Sequence, residues 1–191
     1  MKVNREQAAA NRERVLDTAA RLFRERGFDG IGVAELMKNA GLTHGGFYAN
    51  FSSKEDLIAQ ASARILERNA DYWRSLAQTG GDKSLREISA DYLRGSFESG
   101  VGTGCLLAAL GAESARQGES VRQVIASGVN EVLSAATQSM PGETEKQRRH
   151  QAMVTYAATI GALVLARATD DASLAEEIFQ AVANAMPESD K

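Results

Sequence analysis

Only two prolines, Pro141 and Pro187, interrupt a chain of 191 residues. Proline removes an amide donor and clashes with the preceding helical turn, so its scarcity leaves few fixed limits on helix length. Ala, Leu, Glu and Arg are plentiful, which starves the chain of strand-forming residues. Hydrophobic residues make up 43% of the sequence. That is enough to bury a core, either in one compact body or in two small domains sharing a helix. The expected fold class is all-α.

Local signals divide the chain into about nine helices. Asn4 and Gln7 have the spacing of a capping box. Val15, Leu16, Ala19, Leu22 and Phe23 then recur at helical spacing until Gly27 closes the run. After a short loop, Phe28 to Gly32, a second helix runs from Val33 to Ala40. Gly41 stops it, Leu42 packs inward, and Thr43 caps a very short third helix reaching Asn50. Ser52, Ser53, Glu55 and Asp56 make a strong start for a long fourth helix. It carries Leu57, Ile58, Ala61, Ile65, Tyr72, Trp73 and Leu76 before breaking at Thr79-Gly80-Gly81. Further helices are expected over 84–99, 105–116, 120–139, 144–168 and 173–185.

Charge supports a two-part organisation, with residues 1–52 as a head and 53–191 as a body. The formal net charge is −3. Residues 1–54 nevertheless hold nine Lys or Arg against six Asp or Glu, and the remainder thirteen against nineteen. Attraction for phosphate is therefore concentrated at one end.

Several function classes are disfavoured. No run approaches 18 consecutive apolar residues, so no membrane span is expected. Met1 to Glu6 lacks the apolar stretch of a signal peptide. A single cysteine cannot form an internal disulfide, which suits a reducing cytoplasm. The two histidines are His44 and His150, and His150 lies in the charged run Lys146-Gln147-Arg148-Arg149-His150. Neither a zinc cluster nor a Cys/His nucleophilic pair is signalled, so no metal, cofactor or enzymatic activity is expected. Gly100-Val101-Gly102-Thr103-Gly104 lacks a preceding strand and the spacing of a nucleotide-binding loop; it reads as a flexible connection.

The segment from Val33 to Lys54 points to double-stranded DNA. Two short helices joined by Gly41-Leu42-Thr43 have the plan of a helix-turn-helix, whose second helix lies in a major groove. Lys54 falls in the first turn of the fourth helix, where the macrodipole disfavours a cation but a phosphate would satisfy both. Tyr48 can pack its ring inward while its hydroxyl reaches a phosphate. Gly45 and Gly46 weaken their helix, which suggests close approach of the backbone to a partner; the alternative is a weak helix held by Phe47 and Phe51.

Residues 14–60, above all the run from Gly41 to Leu57, closely resemble the DNA-binding domain of TetR/AcrR-family repressors. The glycine turn, Tyr48-x-x-Phe51 and Ser53-Lys54-Glu55-x-Leu57 fall in register. The resemblance implies that Thr43, Tyr48 and Lys54 hold the DNA backbone. It places His44, Gly45, Gly46 and Phe47 at the base-reading positions. Departures are Gly32, where Thr or Ser commonly caps the second helix, and Asn50, where His is common; Asn50 can still donate to a phosphate. With two glycines among the readers, His44 is expected to carry much of the direct readout.

The resemblance further implies a body that encloses a small-molecule effector and forms a homodimer on a palindromic operator. Candidate cavity residues are Tyr72, Trp73, Leu76, Tyr92, Phe97, Leu107, Leu110 and Glu113. Most of these also suit an ordinary core, and Glu113 also suits an ion pair with Arg94 or Arg116. Cys105, at the expected start of a helix, is either a buried packing residue or a redox or electrophile sensor. Ala157, Ile160, Gly161, Val164 and Ala168 form a small-residue face, and Leu174, Ile178 and Val182 recur at four-residue intervals. Together they are the expected dimer interface, unless they pack within one chain. The function expected is ligand-released repression. The alternatives are a thiol-based sensor of the same fold and a helical ligand-binding or scaffold protein without DNA binding.

Overall fold

In a computed structural model, residues 5–79 and 84–187 are described. They form eight α-helices and one 3₁₀ turn, with no strand among the described residues. The helices are α1 (Arg5–Arg26), α2 (Val33–Asn39), α3 (Lys54–Thr79), α4 (Leu85–Glu98), α5 (Leu106–Ser114), α6 (Glu119–Thr137), α7 (Glu145–Thr169) and α8 (Ala172–Asn184). The last five begin and end within two residues of the expected spans. The proposed Asn4 cap and the Gly80-Gly81 break lie outside the described residues.

The helix ends follow local chemistry. Ser84 with Glu87 and Thr144 with Gln147 form complete capping boxes at α4 and α7. The Asp171 carboxylate accepts from the amides of Ser173 (2.9 Å) and Leu174 (3.1 Å) and starts α8. Each cap satisfies amides that a helix leaves unpaired in its first turn.

α3 runs through the middle of the molecule, packing on α1, α5 and, most extensively, α6. Gly128 makes the α3–α6 crossing close: a Cβ there would stand 2.8 Å from Leu66 Cβ. α7 packs against α4, α5, α6 and α8, and α4 against α8. Arg94 bridges α4 to α8 through Glu176 at 2.5 Å. One hydrophobic cluster includes Val15, Phe23, Leu36 and Phe47 near the N-terminus and Val132, Tyr156 and Met186 towards the C-terminus. A second, smaller cluster joins Leu93, Cys105, Leu163 and Phe179.

Candidate nucleic-acid interface and effector cavity

Gly41 leaves α2 with φ of +69°, in the left-handed region where a side chain is strained. The Leu42 amide then returns to the Met37 carbonyl at 2.9 Å, and its side chain packs on the core. Thr43 is extended, and the expected third helix is only a 3₁₀ turn over His44–Gly46, followed by non-helical turns to Asn50. Gly45 and Gly46 explain the shortening. Together they disfavour an α-helix by roughly 2 kcal/mol relative to alanine, and so short a segment has few hydrogen bonds to offset that. The Asn50 side-chain amide donates to the Gly46 carbonyl at 2.9 Å and closes the segment.

Two expectations about this surface are corrected. Phe47 is 1% exposed and stacks on Phe51 at 5.6 Å, so it belongs to the core and cannot read a base edge. Tyr48 does not pack inward: it is 67% exposed, its ring set edge-on to Phe47 and His44. Phe47 and Phe51 occupy the inner side of the turn, four residues apart, which leaves Tyr48 outside. Thr43, His44, Gly45 and Tyr48 are exposed; Gly46 and Asn50 are half-buried.

Lys54 opens α3 with its ammonium 3.8 Å from a nearly fully exposed Asp29 carboxylate. Beside it, Ser53 Oγ accepts from the Asp56 amide, and Asp56 accepts from the Ser52 amide and from Gln60. These bonds, Gln60's foremost, hold the Asp56 carboxyl below its ordinary pKa. Ser120 on α6 donates to Glu55 at 2.6 Å, which braces the start of α3 against the body.

Behind the head lies a cavity of about 300 Å³. Its walls are Arg24 from α1; Ile65, Leu66, Arg68, Asn69 and Tyr72 from α3; and Tyr92 and Ser96 from α4. Thr103, Gly104 and Cys105 before α5, Leu106 at its start and Tyr156 on α7 complete the wall. Asn69 donates to the Tyr92 hydroxyl at 3.2 Å, and the Tyr72 and Tyr92 rings lie 5.5 Å apart. Burial first, and then the adjacent Cys105, raise the pKa of both Tyr92 and Tyr156. Arg24 Nε donates to the Gly102 carbonyl at 2.8 Å. Burial, followed by the neighbouring charge of Arg68, lowers the Arg24 pKa to about 10, so its guanidinium remains charged at neutral pH.

The head also agrees with a family model. The model described as bacterial regulatory proteins of the tetR family matches residues 15–61. The HTH-type transcriptional repressor NemR of Escherichia coli K12 is 30% identical over 170 residues, covering 82% of this chain and 83% of NemR. The chain belongs to the TetR family. The crystal structure of reduced E. coli NemR superposes with a TM-score of 0.75 and 28% identity, covering 93% of this chain and 98% of that one. The HTH-type regulator AcrR of Shigella flexneri is 36% identical over 90 residues, 44% of this chain and 40% of AcrR. TetR-family regulators bind DNA operators and small-molecule effectors, usually as dimers. This one is accordingly a DNA-binding transcriptional regulator rather than an enzyme.

Within this TetR-family body, two of the expected cavity residues, Tyr72 and Tyr92, line the cavity and the other six do not; Cys105, not expected there, lines it as well. Trp73, Leu76, Leu107 and Leu110 pack in or against the main core, and Phe97 lies on Phe179 at 5.6 Å. The Glu113 carboxylate accepts from the Phe28 amide at 2.8 Å, fastening α5 to the chain leaving α1. It is neither a cavity residue nor the partner of Arg94 or Arg116. Arg24, Arg68, Asn69, Ser96 and Tyr156 escaped the sequence reading. An arginine directly following Leu22-Phe23 was the available signal.

The two C-terminal helices present a mixed face. Ile160, Ile178 and Val182 pack inward, Gly161 is half-buried, and Ala157, Val164, Ala168 and Leu174 are exposed. Met153, Val154 and Leu165 extend the exposed stripe. By length and composition α7 is apolar enough to cross a membrane, although no uninterrupted apolar run marks it. An 18-residue window has mean hydropathy 1.4, yet only 39% of it is buried. Its apolar residues therefore serve an outer face as well as the core.

Proposed function

We propose that this regulator is a homodimeric transcriptional repressor acting in the cytoplasm, bound to a palindromic operator and released by a small molecule in the cavity. Residues 1–52 form the DNA-reading head and 53–191 the sensing and dimerising body. One observation carries the reading: Arg24, from the helix that builds the head, forms part of the body's cavity wall. A ligand touching that wall touches the head directly, so it can distinguish two head positions, as any effector must.

On DNA, Tyr48, Thr43 and Lys54 contact the backbone. Lys54's exchange of a weak, exposed ion pair with Asp29 for a phosphate costs little. His44 reads base edges, and the glycines let the backbone come close. His44→Ala should weaken operator binding by about 1–3 kcal/mol per half-site while hardly changing binding to random DNA. Lys54→Ala should weaken both and reduce the salt slope by about one per contact. Fluorescence anisotropy across a salt series checks both; equal losses for His44→Ala on operator and random DNA would refute the base-reading role.

A second reading rests on Cys105, which is 5% exposed and lies on the cavity wall. Its sulfur would add to an activated alkene: the S–C bond forms, the C=C π bond opens, and the thiol proton ends on the neighbouring carbon. Cys105→Ser should then hold the operator in the presence of N-ethylmaleimide, under conditions where the parent protein lets go. Release of both proteins alike ends this reading.

A further inference from the structure

We infer that the cavity takes a small organic anion, a carboxylate held between Arg24 and Arg167 with the Tyr156 hydroxyl donating to it. This rests on the effector-cavity reading and names its ligand class. The first support is charge. Arg24 lines the cavity, and no Asp or Glu does. Arg167 stands just behind the cavity wall: its Nη2 donates to the carbonyl of Ser96 on α4 at 3.0 Å, and a Cβ on Gly104 would collide with that nitrogen; Ser96 and Gly104 both line the cavity. Neither arginine makes a salt bridge among the described residues. The nearby Glu25 pairs with Arg21 at 2.9 Å.

The second support is a set of buried polar atoms without strong protein partners. Arg167 Nη1, a donor, is buried and unpaired; the Tyr156 hydroxyl, on a residue only 6% exposed, has nothing stronger beside it than the Cys105 thiol. A guanidinium withdrawn from water without a counter-charge is unfavourable, and a carboxylate restores both charge balance and hydrogen bonding. Asn69 Oδ1, buried on the same wall and equally unpaired, can accept from a ligand hydroxyl. At about 300 Å³ the cavity stands at the small end of ligand sites.

The same geometry connects the anion to the head. Arg24 is held by the Gly102 carbonyl, a neutral acceptor that a carboxylate displaces. That transfer loosens α1 from the loop preceding α5.

Isothermal titration calorimetry of the full-length protein without DNA tests the inference, using benzoate against benzamide and butyrate against butyramide. At least one acid should bind ten times more tightly than its amide. Arg24→Gln and Arg167→Gln should each bring the acid down to the amide's affinity. Arg24→Lys should retain part of the preference; neither the acids nor the amides can alkylate a thiol, so the comparison reads anion binding apart from thiol chemistry. If Arg24→Gln fails to fold, Arg167→Gln carries the comparison. Equal affinity for acid and amide, no heat from either acid, or parental affinity in a folded Arg→Gln variant overturns the inference. Operator binding measured separately keeps the readings distinct: a protein that binds benzoate but no operator refutes the repressor and leaves the anion site standing.

Discussion

Leu165→Glu should give a folded monomer that holds its operator at least about a hundredfold more weakly, because the second head no longer benefits from tethering. Leu165 is 55% exposed amid an outward stripe with Met153, Val154 and Val164, so the substitution removes little from the inner core. In a two-fold interface the same patch meets its own copy, and one substitution introduces two like charges into an apolar contact. Analytical ultracentrifugation should show the loss of dimer, while circular dichroism retains the parental helix content. A Leu165→Glu protein that remains dimeric, or a monomer with parental operator affinity, would show that this stripe is not what pairs the heads. A dimeric operator complex also requires half-sites about 34–36 Å apart, or a multiple of that spacing.

The second large effect is expected in the head itself. Phe47→Ala should destabilise the protein by roughly 3–5 kcal/mol, the usual consequence of emptying a buried aromatic site. Phe47 stacks on Phe51, meets the edge of Tyr48, and is 1% exposed. Urea unfolding measures the loss, with His44→Ala as the contrast. His44 is exposed, so its removal should change stability by no more than about 0.5 kcal/mol. If Phe47→Ala kept parental stability and lost only operator discrimination, the core assignment would be wrong and Phe47 would be a reader after all.

The contrast between His44 and Phe47 shows what the sequence could and could not reveal. Helix ends were legible because their causes are local: Ser84 with Glu87, Thr144 with Gln147, and Asp171 all act within one turn. The turn at Gly41 was equally legible, since few residues tolerate its backbone. The length of the recognition segment was not. Thr43 is a good cap on paper, but the two glycines after it let the chain leave helical geometry within three residues. Facing was also obscure there, because a helical repeat does not apply to a 3₁₀ turn and the chain after it; Tyr48 consequently points outward.

The cavity was legible in Tyr72 and Tyr92 and opaque in Tyr156 and in its charged members. Tyr72 and Tyr92 could be suspected from their apolar helices, whereas nothing local placed Cys105 on the same wall. Arg24 and Arg167 approach the same cavity from helices more than a hundred residues apart, and no local pattern encodes that meeting. Arg167 did leave a trace, as a lone cation inside Val164-Leu165-Ala166-Arg167-Ala168. Glu113 was noticed for the right reason, a carboxylate ending an apolar helix, but its partner is a backbone amide 85 residues away.

The hydrophobic cluster that includes both Phe23 and Val132 bears on how such regulators can be recombined. Side chains of α1 are completed by side chains of the body, so a head cut at residue 52 would carry a raw apolar wound. A chimera that exchanges recognition specificities would have to graft the outward residues around His44 and Tyr48 alone, leaving the inner face of α1 with its original body.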